Sequence, residues 1–168
     1  MTQSGLLVCV GALAVTLAGC NHPASNSGAS NTTASAPAGP TTPAASADEN
    51  TWGNYLAEQG KLHGKDVGMR PYIYVIPAGD SVAANSRRQN ETDSVVHSIG
   101  PILMPGGMLI VGGPDSKQTT AFLGDVTKQL KADALKGIVV MVVSDAPEQA
   151  AVTSMLKASG ATLRFVTM

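Results

Sequence analysis

Between residues 50 and 168 the chain alternates short, continuous apolar runs with longer amphipathic ones. Trp52, Tyr55, Leu56 and Leu62 recur at helical spacing and predict a helix ending near Gly64. PYIYVIP (71–77) is a β-rich run bracketed by prolines, and TLRFVTM (162–168) is a second run of that kind. MLIVGG (108–113) and IVVMVVS (138–144) are apolar throughout, which suits central strands of a sheet covered on both faces. Between them, 118–135 puts Phe122, Leu123, Val126 and Leu130 on one helical face and Asp125, Lys128 and Lys131 on the other, with Gly137 as a stop. The stretch 147–159 repeats the scheme, with Pro147 and Glu148 in its first turn, Ala151, Val152, Met155 and Leu156 inward, and Gly160 closing it.

Residues 78–107 fit this pattern least. Their apolar stripe is confined to Val95, Val96 and Ile99, predicting one short helix over 92–98 behind a long polar loop, GDSVAANSRRQNE (79–91). Strands alternating with helices through short turns predict an α/β fold, a small three-layer domain built from βαβ units and preceded by a helix. Its sheet is mainly parallel, with about four strands.

The first fifty residues follow a different logic. Leu6 to Leu17 is apolar but too short for a permanent membrane span, as in a secretion signal. It closes on Leu17-Ala18-Gly19-Cys20, which resembles the lipobox of bacterial lipoproteins. That resemblance implies removal of 1–19 as a signal peptide, acylation of Cys20 and attachment to a lipid bilayer through its acyl chains. Asn21 after the cysteine resembles the signal that releases lipoproteins to the outer membrane, where the domain would face the periplasm. From 20 to 49 the chain is almost wholly Ser, Ala, Thr, Asn, Pro and Gly, which predicts a disordered tether reaching roughly 30 Å. The remaining 50–168 suffices for a single domain.

Charge and cysteine content narrow the function classes. All eleven Lys and Arg and ten of the twelve Asp and Glu lie in 50–168, a net of +1 that gives no support for nucleic acid or a polyanionic surface as a partner. With Cys9 in the signal and Cys20 at the anchor, the domain holds no disulfide, thiol nucleophile or cysteine metal site. His63 and His97 stand on different elements without a second ligand at helical spacing, so no metal is expected, nor any other cofactor.

The candidate chemistry sits where the strands end. VIPAGDS, IVGGPDS and VVSDAP place Asp80, Asp115 and Asp145 beside Ser81, Ser116 and Ser144, all at the carboxyl ends of parallel strands, where open α/β sheets bind ligands. Asp and Ser at helix starts are equally good N-caps, and capping is the weightier reading. GGPDSK (112–117) lacks the second glycine of a P-loop, and Pro114 removes an amide, so no nucleotide site is expected. The candidate binding surface is Asp80, Ser81, Asp115, Ser116, Lys117 and Asp145, joined by the Arg87-Arg88 pair of the polar loop. No residue is assigned a catalytic role. The expectation is a non-enzymatic binding or accessory module for an envelope protein, as in a secretion complex or toxin inhibition, or for peptidoglycan or a small anion. The alternative is a small envelope hydrolase built on a Ser116, His97, Asp145 grouping or an Asp80, Asp115 pair.

Overall fold

A computed structural model describes residues 39–168. The predicted signal peptide, Cys20 and the first part of the predicted tether lie outside the described residues. The apolar runs form one four-stranded sheet: β1 (Tyr72–Val75), β2 (Met108–Gly112), β3 (Val139–Ser144) and β4 (Thr162–Thr167). All three pairings are parallel and the spatial order is β1-β2-β3-β4, so each strand lies beside its successor. The two runs that are apolar throughout, β2 and β3, are the central strands, and nearly every residue in them is buried.

Four helices complete three layers: α1 (Glu49–His63), α2 (Val82–Ser98), α3 (Ser116–Gln129) and α4 (Gln149–Leu156). Alternate strand residues face opposite ways. Leu109, Val111, Val140 and Val142 pack with Val95 of α2, Phe122, Leu123 and Val126 of α3, and Val152 and Leu156 of α4. Met108, Ile110, Met141 and Val143 pack with Trp52, Tyr55 and Leu56 of α1. Among the described residues both cores lie within 47–168, so 39–168 holds both of them entire.

One helix about 10 Å wide cannot cover four strands spaced about 4.8 Å apart. Residues 42–48, which belong to the predicted tether, supply part of the missing cover. Ala47 joins the α1 core, the Trp52 indole donates to the Ala44 carbonyl at 3.3 Å, and the Tyr55 and Thr42 hydroxyls meet at 3.1 Å. Asp48 caps α1, accepting from the Thr51 amide at 2.9 Å. The domain therefore begins some eight residues before the composition change at 49 and 50.

Two helix boundaries differ from the sequence pattern. The polar loop 79–91 and the short helix after it are one helix, α2, starting at Val82. Its inward stripe is Arg88, Thr92 and Val95, at i, i+4 and i+7, so two of three inward positions are polar. The helix predicted to run to 135 stops at Gln129, although Leu130 and Leu135 prolong its apolar periodicity. Past it the chain joins the segment before β4: the Asp133 and Leu135 amides donate to the Ala158 and Ser159 carbonyls at 3.0 and 2.8 Å.

Candidate functional site

Each strand exit is organised by its own polar residues. At the first, the Ser81 hydroxyl accepts from the Ala84 amide at 3.1 Å and starts α2. At the second, Asp115 Oδ1 accepts from the Lys117 and Gln118 amides at 3.0 and 3.1 Å. Those amides are the ones a bound anion would need at the start of α3, and the carboxylate already holds them. Buried Ser116 ties the second exit to the third, its hydroxyl accepting from the Asp145 amide at 3.0 Å. Asp145 and Lys117 remain exposed.

The glycine pair before Asp115 is explained by packing. A Cβ on Gly112 would meet Leu56 Cδ2 of α1 at 2.7 Å and Val143 O at 3.0 Å. On Gly113 it would be driven into the backbone of Ile76, with Ile76 C and N both at 3.1 Å and the carbonyl oxygen closer still. The space a phosphate cradle would need is filled by α1 and the end of β1. The sheet order adds to this, because a strand order without a reversal has no switch-point crevice of the kind that receives ligands in doubly wound folds.

The arginine pair is not a free, mobile clamp. Arg87 pairs with Glu49 of α1, one bond measuring 2.6 Å, and lies 3.8 Å from Glu91. The Arg87 guanidinium holds the Glu49 carboxyl below the usual carboxylate range, and Glu49 in turn raises the guanidinium. Arg88 points inward and donates to the carbonyls of Pro77 and Gly79, both at 2.8 Å, and to Asn85 Oδ1 at 2.5 Å. It pins the β1–α2 turn from beneath. A side chain bonded this way orders the turn and is not available to capture a partner.

What does converge is a small polar network. Gln118, which the sequence reading passed over, joins the first two exits: its side chain donates to Asp80 Oδ1 at 2.8 Å while its own amide donates to Asp115. Arg88 stands 3.7 Å from the same Asp80 oxygen. A cavity of about 270 Å³ lies here, lined among others by Asp80, Asn85, Arg88, Thr92, Gln118 and Asp125. The sequence signal for Gln118 was its place three residues after an N-capping Asp.

The hydrolase groupings are not assembled. His97 is fifteen residues beyond the start of α2, about 22 Å along its axis from the strand exits. Its Nδ1 sits 2.6 Å from the Asp93 carbonyl. Ser116 meets Asp145 through the backbone amide, not the carboxylate. Asp80 and Asp115 are each bonded to Gln118, which stands between them. Ser144, also at the third exit, is fully buried, and its hydroxyl has no partner among the described residues. Among those residues no three of His, Cys, Asp and Glu stand close enough to hold a metal ion, and no helix is long and apolar enough to cross a membrane.

A larger cavity, about 760 Å³, is at the opposite end of the sheet. It lies between the last turns of α1 and the segment leading into β1, with Gly60, Lys61, Val67, Arg70, Tyr72 and Met108 in its walls. Nearby, Arg164 of β4 reaches back to the His63 carbonyl and chelates Asp66, whose carboxyl the guanidinium holds below the usual range.

The chain matches no family model, no curated protein and no solved structure. The fold defines a small three-layer α/β domain.

The cap reading of GGPDSK gives one direct expectation. Asp115→Ala lowers stability by about 0.5 to 2 kcal/mol, whereas Lys117→Ala leaves it within about 0.5 kcal/mol. Urea unfolding of both variants decides it, and an unchanged midpoint for Asp115→Ala refutes the cap.

Proposed function

We propose that this chain is a membrane-anchored envelope lipoprotein whose α/β domain serves as a binding or accessory module for another envelope component. The observation that supports a binding role is the way the strand-exit groups are used. Ser81, Asp115 and Ser116 are spent on helix caps and the brace between turns, while Asp80, Lys117 and Asp145 stay exposed on one edge. Such an edge offers charge to a partner without an activated nucleophile beside it. The anchor is Cys20, within the lipobox-like Leu17-Ala18-Gly19-Cys20, and the polar chain behind it gives the domain its reach to a protein partner or to peptidoglycan.

Two measurements test the two halves of this reading. Cys20→Ala should abolish incorporation of labelled fatty acid and move the protein out of the membrane fraction; equal labelling of the variant refutes the anchor. In-cell crosslinking of the wild-type chain should trap a defined partner, and reversing charge with Asp80→Lys and Asp145→Lys should remove it. An unaltered crosslink rules out the strand-exit edge.

A further inference from the structure

The near-neutral net charge conceals a sorting of charge between the two ends of the sheet. At the carboxyl edge stand Asp48, Glu49, Asp80, Asp115, Asp145 and Glu148; with Glu49 paired to Arg87 and Asp80 to Arg88, four acids are left against Lys117. At the amino edge, where helices return to strands, stand Lys61, Lys65, Arg70, Lys131, Lys136 and Lys157. Asp66 at that end is taken by Arg164, leaving Glu58, Asp93 and Asp133 against six cations. Among the described residues none of these six forms an ion pair.

The same end carries the exposed apolar side chains. Of the five large hydrophobic residues exposed among the described residues, four are here: Leu62, Tyr72, Ile102 and Met104, with Ile102 and Met104 46% and 45% exposed on the turn before β2. The connections beneath them are bonded into one platform. The Gly106 amide donates to the Gly137 carbonyl at 2.7 Å, the Val139 amide to Gly107 at 3.0 Å, and the Leu135 amide to Ser159 at 2.8 Å. The large apolar-walled cleft of α1 lies at this edge as well, with Lys61 and Arg70 in its walls.

We infer that the amino edge of the sheet docks on an anionic lipid surface. Cations attract acidic headgroups over about a Debye length, and scattered apolar tips enter the headgroup region once the domain is held there. Neither contribution needs a deep pocket. The cleft adds room for part of an acyl chain beneath the two cations. In this pose the carboxyl edge, with its acids, is turned away from the headgroups that would repel it. The inference does not depend on acylation of Cys20, since it concerns the domain's own surface.

Flotation of residues 39–168 with vesicles tests it. We expect binding to vesicles of equal phosphatidylglycerol and phosphatidylcholine at low salt, at least tenfold weaker binding to phosphatidylcholine alone, and loss of most binding in 0.5 M salt. Lys61→Ala with Arg70→Ala should weaken binding roughly 25-fold, at about fivefold per charge, as should Lys131→Ala with Lys136→Ala. Ile102→Ser with Met104→Ser should weaken it further at high salt. Lys117→Ala, at the far edge, should change nothing. All these residues are exposed, and thermal unfolding identifies any variant that fails to fold. Equal affinity for neutral and acidic vesicles, no vesicle binding, or an effect of Lys117→Ala as large as that of the amino-edge pairs overturns the inference. Binding to short duplex DNA without binding to acidic vesicles overturns it as well, since the edge would then be a general polyanion site.

Discussion

Gly113→Ala should be the most damaging single methyl group that can be added to this protein, costing about 3 kcal/mol or more and lowering the melting temperature by roughly 10 °C. The added Cβ would be driven into the main chain of Ile76, which has no flexible end to move aside. Ile76 is itself fully buried, and its amide donates to the Gly112 carbonyl at 2.8 Å, so shifting it breaks the β1–β2 pairing. Gly53→Ala supplies the contrast. Its Cβ would stand 3.8 Å from Val75 Cγ2, an ordinary contact, and alanine in a helix is favoured over glycine by about 0.5 to 1 kcal/mol. Opposite shifts in the urea midpoint are therefore expected for the same chemical change. A Gly113→Ala variant as stable as the wild type would mean that β1 and β2 do not approach as described, and the turn would regain the open space that anion binding requires.

Much of the fold was legible because it rests on apolar periodicity. Val139 to Val143 has no polar residue to interrupt it, and only a strand covered on both faces accommodates such a run. The helix α2 was hidden for the opposite reason. Arg88 and Thr92 occupy its inward positions, and their polar atoms are satisfied by carbonyls of other turns or of the helix itself, partners that no linear pattern names. The end of α3 was misplaced because Leu130 and Leu135 stay apolar while the backbone between them bonds to the chain before β4. Of the candidate site, the capping role of Asp115 followed from residue type and position alone, whereas that of Ser81 did not, because 79–91 has the pattern of a loop and offers no helix start. The loss of Arg87 to Glu49 and of Arg88 to the turn carbonyls did not either, because Glu49 is 38 residues from Arg87 along the chain and the carbonyls of Pro77 and Gly79 come within reach of Arg88 only once the β1–α2 turn has folded. The sorting of charge is likewise a property of topology. Lys61, Lys131 and Lys157 are far apart in sequence and share one edge only because every helix runs back along the strands.

The N-terminal margin of the domain offers the second large effect. Trp52 is 2% exposed and meets Tyr55 edge to face at 5.8 Å, so Trp52→Ala should cost about 3 to 5 kcal/mol. Part of that cost belongs to the segment before α1, whose Ala44 carbonyl accepts the indole N–H. Trp52→Phe keeps most of the ring and removes the donor, and should cost about 1 kcal/mol, plus a smaller share for lost volume. Starting the chain at Asn50 removes the acceptor together with the Asp48 cap, for a loss of roughly 1 to 3 kcal/mol. The two changes share one interaction, so their effects should not add. In the shortened chain the hydrogen-bond share of the Trp52→Phe cost has already been lost, and the double-mutant cycle should return a coupling of about 1 kcal/mol. A coupling of zero would detach residues 42–48 from the α1 core and restore the domain boundary that composition suggests.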